Sequence, residues 1–185
     1  MIEVRIHGRG GQGAVSTGQI MAIAAFHDNK KSQSFPMFGV ERSGAPVQAF
    51  ARISDKEINL RCEVYNPEVV IVFEPSLLKT IDVTAGLKSG GTIIINTNKK
   101  IEELGLKKGL KIYTIDATSI SLEIFGRPIV NTAMLGAFSA ITNVLSLESL
   151  KKAIDEKFLK TKGEKIADLN KKAIEAVYNK SKETK

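Results

Sequence analysis

The pattern with the clearest chemical meaning is Gly8-x-Gly10-x-x-Gly13. Glycines at this spacing permit a tight turn and let backbone N–H groups approach a pyrophosphate, and the N-terminus of a following helix favours negative charge. In a nicotinamide site an acid about 20 positions further on, at the end of the second strand, holds the ribose hydroxyls. Here that region is Lys30-Lys31-Ser32-Gln33-Ser34-Phe35-Pro36, and Asp28 comes early, before any strand. A phosphate cradle without its ribose acid argues against a plain NAD enzyme and for a phosphate-rich ligand with extra charge. A turn needed only for helix–strand packing is the plainer alternative. The stretch Phe35 to Val47, with two prolines, two glycines and no periodicity, is the second candidate, because loops of this kind in compact domains are more often functional than filler. Its bland alternative is a solvated Glu41-Arg42 pair with Phe35 and Phe38 plugging the core.

Other chemistry is thinly supplied. Cys62 is the lone cysteine, so an intrachain disulfide, an iron–sulfur cluster and a Cys-rich zinc site are excluded for this chain alone. His7 and His27 leave little for a metal, and no residue set stands out as catalytic.

The elements that would carry these residues follow from pattern. Glu3 to Ile6 alternates as a strand, runs into the glycines, and residues 14–26 continue as a helix with Ile20, Ile23 and Ala24 on one face. Val47 to Ile53 and Glu57 to Cys62 alternate about a Ser54-Asp55-Lys56 turn, an antiparallel hairpin. Val69 to Phe73 and Thr92 to Asn96 are β-branched runs typical of strands buried on both faces, and Lys111 to Ile115 is a third. Helices are expected near 76–87, 118–125 and 132–145. Ser146 N-caps a helix carrying Leu147, Leu150, Ile154 and Phe158; Thr161-Lys162-Gly163-Glu164 is a capping-box pattern before a last helix with Ile166, Leu169, Ala173 and Val177. The expected fold is α/β: a single Rossmann-like domain, 1–185, with a mostly parallel sheet, an antiparallel hairpin near residues 47–62 and a helical C-terminus.

The chain has 185 residues and a formal net charge of +7; residues 151–185 hold eleven lysines against six acids, most of that surplus. This basic tail (146–185 as a helical unit) lacks arginine and has only Phe158 and Tyr178 as aromatics, so a solvated helical face is favoured over nucleic-acid binding. No apolar run approaches the ~20 residues that span a bilayer, and Met1-Ile2-Glu3-Val4-Arg5 is no signal peptide. A cytoplasmic protein with no membrane partner is expected.

Three stretches then acquire a joint meaning. His7-Gly8-Arg9-Gly10-Gly11-Gln12-Gly13-Ala14, Phe35-Pro36-x-x-Gly39-x-Glu41-Arg42-x-Gly44-Ala45-Pro46-Val47 and Asn131-Thr132-Ala133-Met134-Leu135-Gly136-Ala137 resemble, in order, the gamma subunit of 2-oxoacid:ferredoxin oxidoreductases, pyruvate synthase type (EC 1.2.7.1). The resemblance covers nearly the whole chain and implies a multi-subunit enzyme that decarboxylates a 2-oxoacid on thiamine diphosphate. Electrons pass through iron–sulfur clusters to ferredoxin, and the acyl group goes to coenzyme A. It implies alpha, beta and delta partner chains that hold thiamine diphosphate, magnesium and the clusters; this chain has no Gly-Asp-Gly motif and would be inactive alone. In fused relatives the matching domain lies close to coenzyme A, which makes Gly10, Gly11, Gln12, Gly13 and Lys31, with Lys30 as the register alternative, candidates to contact that ligand. Coenzyme A carries a pyrophosphate and a ribose 3′-phosphate, so lysines suit it and a ribose-binding carboxylate would repel it. Phe35, Pro36, Phe38, Glu41 and Arg42 are the candidate subunit interface. A stand-alone nucleotide-dependent oxidoreductase and a purely structural subunit are the other two possibilities.

Overall fold

A computed structural model describes residues 1–37, 43–106 and 109–183. β1 (Ile2–Arg9) runs into the glycine turn and then α1 (Ala14–His27), followed by β2 (Lys31–Pro36), β3 (Pro46–Ser54), β4 (Val69–Val72), β5 (Thr92–Asn96) and β6 (Lys111–Ile115). The helices α2 (Ala117–Phe125), α3 (Val130–Thr142), α4 (Leu147–Lys162) and α5 (Glu164–Glu183) complete the described chain. The strands form one sheet in the order β2-β3-β1-β4-β5-β6. β1, β4, β5 and β6 are parallel, and β3 lies antiparallel between β1 and β2.

Alternation along β1 sends Val4 and Ile6 to one face and Glu3, Arg5 and His7 to the other. On the first face, Val4, Ile6, Ala49, Ala51 and Ile71 join Ile20, Met21 and Ala24 of α1 and the inner faces of α3, α4 and α5 in the main core. Val70, Val72, Ile93 and Ile95 on the second face pack under Leu77 and Val83. These runs are apolar throughout because both faces are covered. α3 and α5 run side by side in the same direction: Thr132 Oγ1 donates to Asn170 Oδ1 at 2.6 Å, and Gly136 lies against the α5 backbone at Ile174 and Tyr178. A Cβ at Gly136 would collide with the Ile174 carbonyl, so glycine sets this close approach.

The structure differs from the sequence expectation in four places. Val47–Ser54 is an antiparallel strand, but its partners are β1 and residues 31–36, not Glu57–Cys62, which form no strand. Both edges of β3 are occupied, so no ladder is left for 57–62. That segment instead crosses the polar face, where Gln33 Nε2 donates to Ile58 O and Arg52 Nη2 to Glu63 O. β2 carries lysine, serines and a glutamine and gives little strand signal of its own; pairing with β3 makes it one. Residues 76–87 hold a 3-10 turn at Pro75–Lys79 and then irregular turns. Thr80, Ile81, Val83 and Thr84 are β-branched, and Asp82 Oδ1 accepts from both Thr84 N and Thr84 Oγ1, a local turn that competes with helix. The Thr161 hydroxyl donates to Lys157 O within α4, so the helix break falls at Gly163. Ser146 does cap α4, accepting from Ser149 N at 3.1 Å.

Candidate functional site

In open α/β sheets ligands settle outside the carboxyl ends of strands where the strand order reverses. Here that point lies between β1 and β4, because the chain leaves β1 toward β2 and β3 and then returns to build β4, β5 and β6 on the other side. The glycine turn sits there. Gly13 takes a left-handed conformation (φ 80°, ψ 28°) as N-cap of α1, and no side chain caps that helix. A Cβ on Gly13 would run into Asn131 Nδ2 and lie 3.2 Å from Asn131 Cγ. The first turn of α3, which also begins without a side-chain cap, therefore packs directly on the start of α1.

Residues 43–45 join the same corner. Gly10 N donates to Ala45 O at 2.8 Å, Gly44 N to Gly10 O at 3.2 Å, and Arg9 Nη1 to Gly44 O at 3.0 Å. Across the switch point Arg9 Nη2 reaches Ser76 Oγ at 2.9 Å and Gln12 Nε2 reaches Glu74 Oε2 at 3.4 Å. Gln12 Oε1 accepts from Arg9 N, and Gln12 N donates to Arg9 O. Two N–H groups of the turn, those of Gly10 and Gln12, are thus satisfied inside the protein, and a carboxylate stands beside the turn. That is a poor match to a bare pyrophosphate cradle. Gly11, exposed at φ 94°, remains open to a partner molecule.

Lys31 is not part of this corner. It begins β2 opposite Ser54, one residue beyond the row Ser32–Ile53–Ile2 that starts β1, whereas the glycine turn follows the end of β1. The 14 residues of α1 separate them, ~21 Å at 1.5 Å per residue. Lys31 Nζ pairs with Glu57 Oε1 at 2.8 Å at the surface, and that hydrogen bond and charge raise its pKa. Lys30 Nζ donates to Val144 O at 2.6 Å, so of the two lysines Lys31 presents its amine outward. Asp28 braces the start of α4 from outside it, accepting from Ser146 N, Ser146 Oγ and Ser149 Oγ. Burial pushes its pKa up, but these hydrogen bonds and nearby Lys30 outweigh it and hold the carboxyl below its usual range.

Phe35 and Pro36 belong to β2. Phe35 packs on Phe50 (ring centroids 5.3 Å apart) beneath the Arg52 guanidinium. Phe38, Glu41 and Arg42 lie outside the described residues.

Beside the turn is a buried basic pair that the sequence did not single out. Arg5 Nε donates to His7 Nε2 at 3.0 Å, and its Nη2 to the carbonyls of Val83 and Ala85. The guanidinium can only donate, so the His7 proton sits on Nδ1, which is buried and has no hydrogen-bond partner among the described residues. Burial and then the Arg5 charge push the His7 pKa down to about 3. Burial also lowers the pKa of Arg5, against the pull of Asp82. Asn131, by contrast, lay in a stretch already singled out, though nothing in the sequence paired it with Gly13. Among the described residues no group of three or more His, Cys, Asp or Glu could hold a metal ion, and no helix is long and apolar enough to cross a membrane.

Fold and site together define an α/β chain of Rossmann type whose glycine turn is a junction between three distant stretches. Residues 3–180 match the pyruvate ferredoxin/flavodoxin oxidoreductase family. Pyruvate synthase subunit PorC of Methanocaldococcus jannaschii is 56% identical over 179 residues, covering 97% of this chain and 96% of that one. The common gamma subunit of the pyruvate/ketoisovalerate oxidoreductases of Thermococcus kodakarensis is 54% identical over 98% of this chain and 97% of its own. The crystal structure of pyruvate oxidoreductase subunit PORC (EC 1.2.7.1) from Thermotoga maritima superposes with a TM-score of 0.82 at 39% identity, covering 96% of this chain and 95% of that one. The chain belongs to the pyruvate ferredoxin/flavodoxin oxidoreductase family, as one of its gamma-type chains.

Proposed function

We propose that this chain works as one domain in a 2-oxoacid:ferredoxin oxidoreductase acting on pyruvate, in the cytoplasm, alongside alpha, beta and delta chains that hold thiamine diphosphate, magnesium and iron–sulfur clusters. Its own tasks are assembly and a contact with coenzyme A. One observation carries this: the three stretches that resemble gamma subunits, far apart in sequence, meet at one corner through Gly10–Ala45 and Gly13–Asn131. A corner built jointly by such stretches suits docking to another chain. The relative's role as a gamma subunit common to pyruvate and ketoisovalerate oxidoreductases supports placing acid selectivity on other chains.

For coenzyme A the geometry favours two separated contacts over one cradle. Lys31, exposed at the far end of α1, meets a phosphate; at the near end the contact falls to Gly11 and Gly13, since Gly10 and Gln12 are engaged within the turn. The test uses the assembled enzyme with pyruvate. Lys31→Ala is expected to raise the coenzyme A concentration needed for turnover several-fold, less so as salt rises, while single-turnover cluster reduction by pyruvate is unchanged. Gly11→Val should raise the same requirement independently. An unchanged coenzyme A requirement in both variants would leave the chain with assembly alone. Pyruvate-dependent dye reduction by the isolated chain would refute the subunit role and favour a self-contained oxidoreductase.

A further inference from the structure

α4 and α5 form an antiparallel pair whose register is fixed by Lys151–Glu175 at 3.1 Å and Lys171–Asp155 at 2.8 Å. Extending that register sets Leu159 across from Ala167, the residue after Ile166, and puts the corner at Gly163. Every residue from Leu159 to Ile166 is exposed, including the two aliphatics at 43% and 37%. α5 runs parallel to α3 with Asn170 beside Thr132, and Asn131 lies on Gly13. Residues 164–166 stand four to six positions ahead of Asn170, so the corner lies on the order of 6–9 Å beyond the level of Thr132, toward the side that carries the glycine turn.

The charge at this corner is one-sided. Lys151, Lys171 and Lys180 are matched by carboxylates, whereas Lys160, Lys162 and Lys165 form no ion pair among the described residues. Glu164 is the one acid between Lys157 and Ile166. α1, α3 and α5 all begin at this end and add the partial positive charge of their N-termini, and Lys160 and Lys162 offset the opposite end of α4. Two exposed aliphatics close to the same level of the corner, interspersed with lysines, have the composition of a protein contact, apolar side chains with charged neighbours. Arginine and aromatic side chains are missing from 159–166, which disfavours nucleic acid.

We infer that the α4–α5 corner docks into an apolar recess rimmed by Asp and Glu on a partner chain of the assembly. The inference rests on the subunit role proposed above and adds a surface to it. The test is capture of this chain through a tagged partner chain of the native complex, over a salt series. The triple change Lys160→Glu, Lys162→Glu, Lys165→Glu should weaken retention at least tenfold at moderate salt, with the corresponding Gln triple intermediate. Leu159→Ser with Ile166→Ser should weaken retention at all salt concentrations. Thermal melting of each full-length variant serves as the folding control; because these residues are exposed, melting should match wild type. If the charge-reversed chain is retained with the wild-type salt profile, the corner is merely a solvated face and the inference fails while the subunit role stands. If reversal instead abolishes binding of a labelled single-stranded RNA and leaves capture unchanged, the surface belongs to nucleic acid. If the wild-type chain itself is captured with no oxidoreductase chain, the subunit role fails and takes the inference with it.

Discussion

Replacing Gly13 by alanine tests whether the glycine turn and α3 are mechanically coupled. Two separable terms are expected. The left-handed backbone at φ 80° costs a residue with a Cβ roughly 1–2 kcal/mol. The added methyl also displaces the Asn131 amide, whose Cγ would lie 3.2 Å away, and forcing that side chain from its rotamer costs about 0.5–1.5 kcal/mol. The sum, roughly 1.5–3.5 kcal/mol, corresponds to a fall in Tm of about 3–14 °C for a chain of this size. Asn131→Ala removes the obstacle and leaves only the backbone term. In the Asn131→Ala background, Gly13→Ala should therefore cost about 1 kcal/mol less than in wild type, measured by urea unfolding of the four chains in a double-mutant cycle. Gly11→Ala is the internal control: φ is 94° but nothing lies within 4 Å of the added Cβ, so only the backbone term remains, and Asn131→Ala should not alter it. Strict additivity of Gly13→Ala and Asn131→Ala would refute the coupling.

His7 has a folded-state pKa near 3 against 6.5 unfolded, so the unfolded chain binds the extra proton between those values. Stability from this group is complete above pH 6.5 and drains away as pH falls toward 3, with a slope approaching ~1.4 kcal/mol per pH unit; His7→Gln should flatten urea midpoints between pH 6 and 4, and an unchanged slope would refute the assignment. Arg52 is 1% exposed, donates to Glu3 Oε1 at 2.8 Å, and holds Glu63 O. Arg52→Ala strands these acceptors and should cost about 3–5 kcal/mol in urea unfolding, far more than Lys31→Ala, which breaks only a surface pair.

Parallel strands were legible because β-branched runs such as Val69–Val72 and Thr92–Asn96 have few other ways to be buried. α1, α4 and α5 announced themselves through periodicity, α4 also through the Ser146 cap. β2 escaped notice because its strand character comes from β3 rather than from its own side chains. The same fact misled the hairpin: alternation at Glu57–Cys62 was real, but the ladder position it needed was already filled. At the site, Gly8-x-Gly10-x-x-Gly13 correctly marked a tight strand-to-helix turn. Spacing could not say that Gln12 would fold back onto Arg9, or that α1 would carry Lys31 to the opposite end of the sheet. Side-chain direction and the partners of individual N–H groups are properties of the packed molecule.

The parallel contact between α3 and α5 has a consequence for biosynthesis. α3 is complete at Thr142, yet the face of it around Gly136 is covered by the α5 backbone at Ile174 and Tyr178. About 40 residues separate the end of α3 from the end of α5, some 2–8 s of translation at 5–20 residues per second. During that interval the nascent chain has its sheet and an uncovered apolar helix, the kind of surface that chaperones hold and that aggregates when they do not. A fusion or stall placed between α4 and α5 would prolong this exposed state and should lower soluble yield without altering any residue of the glycine turn.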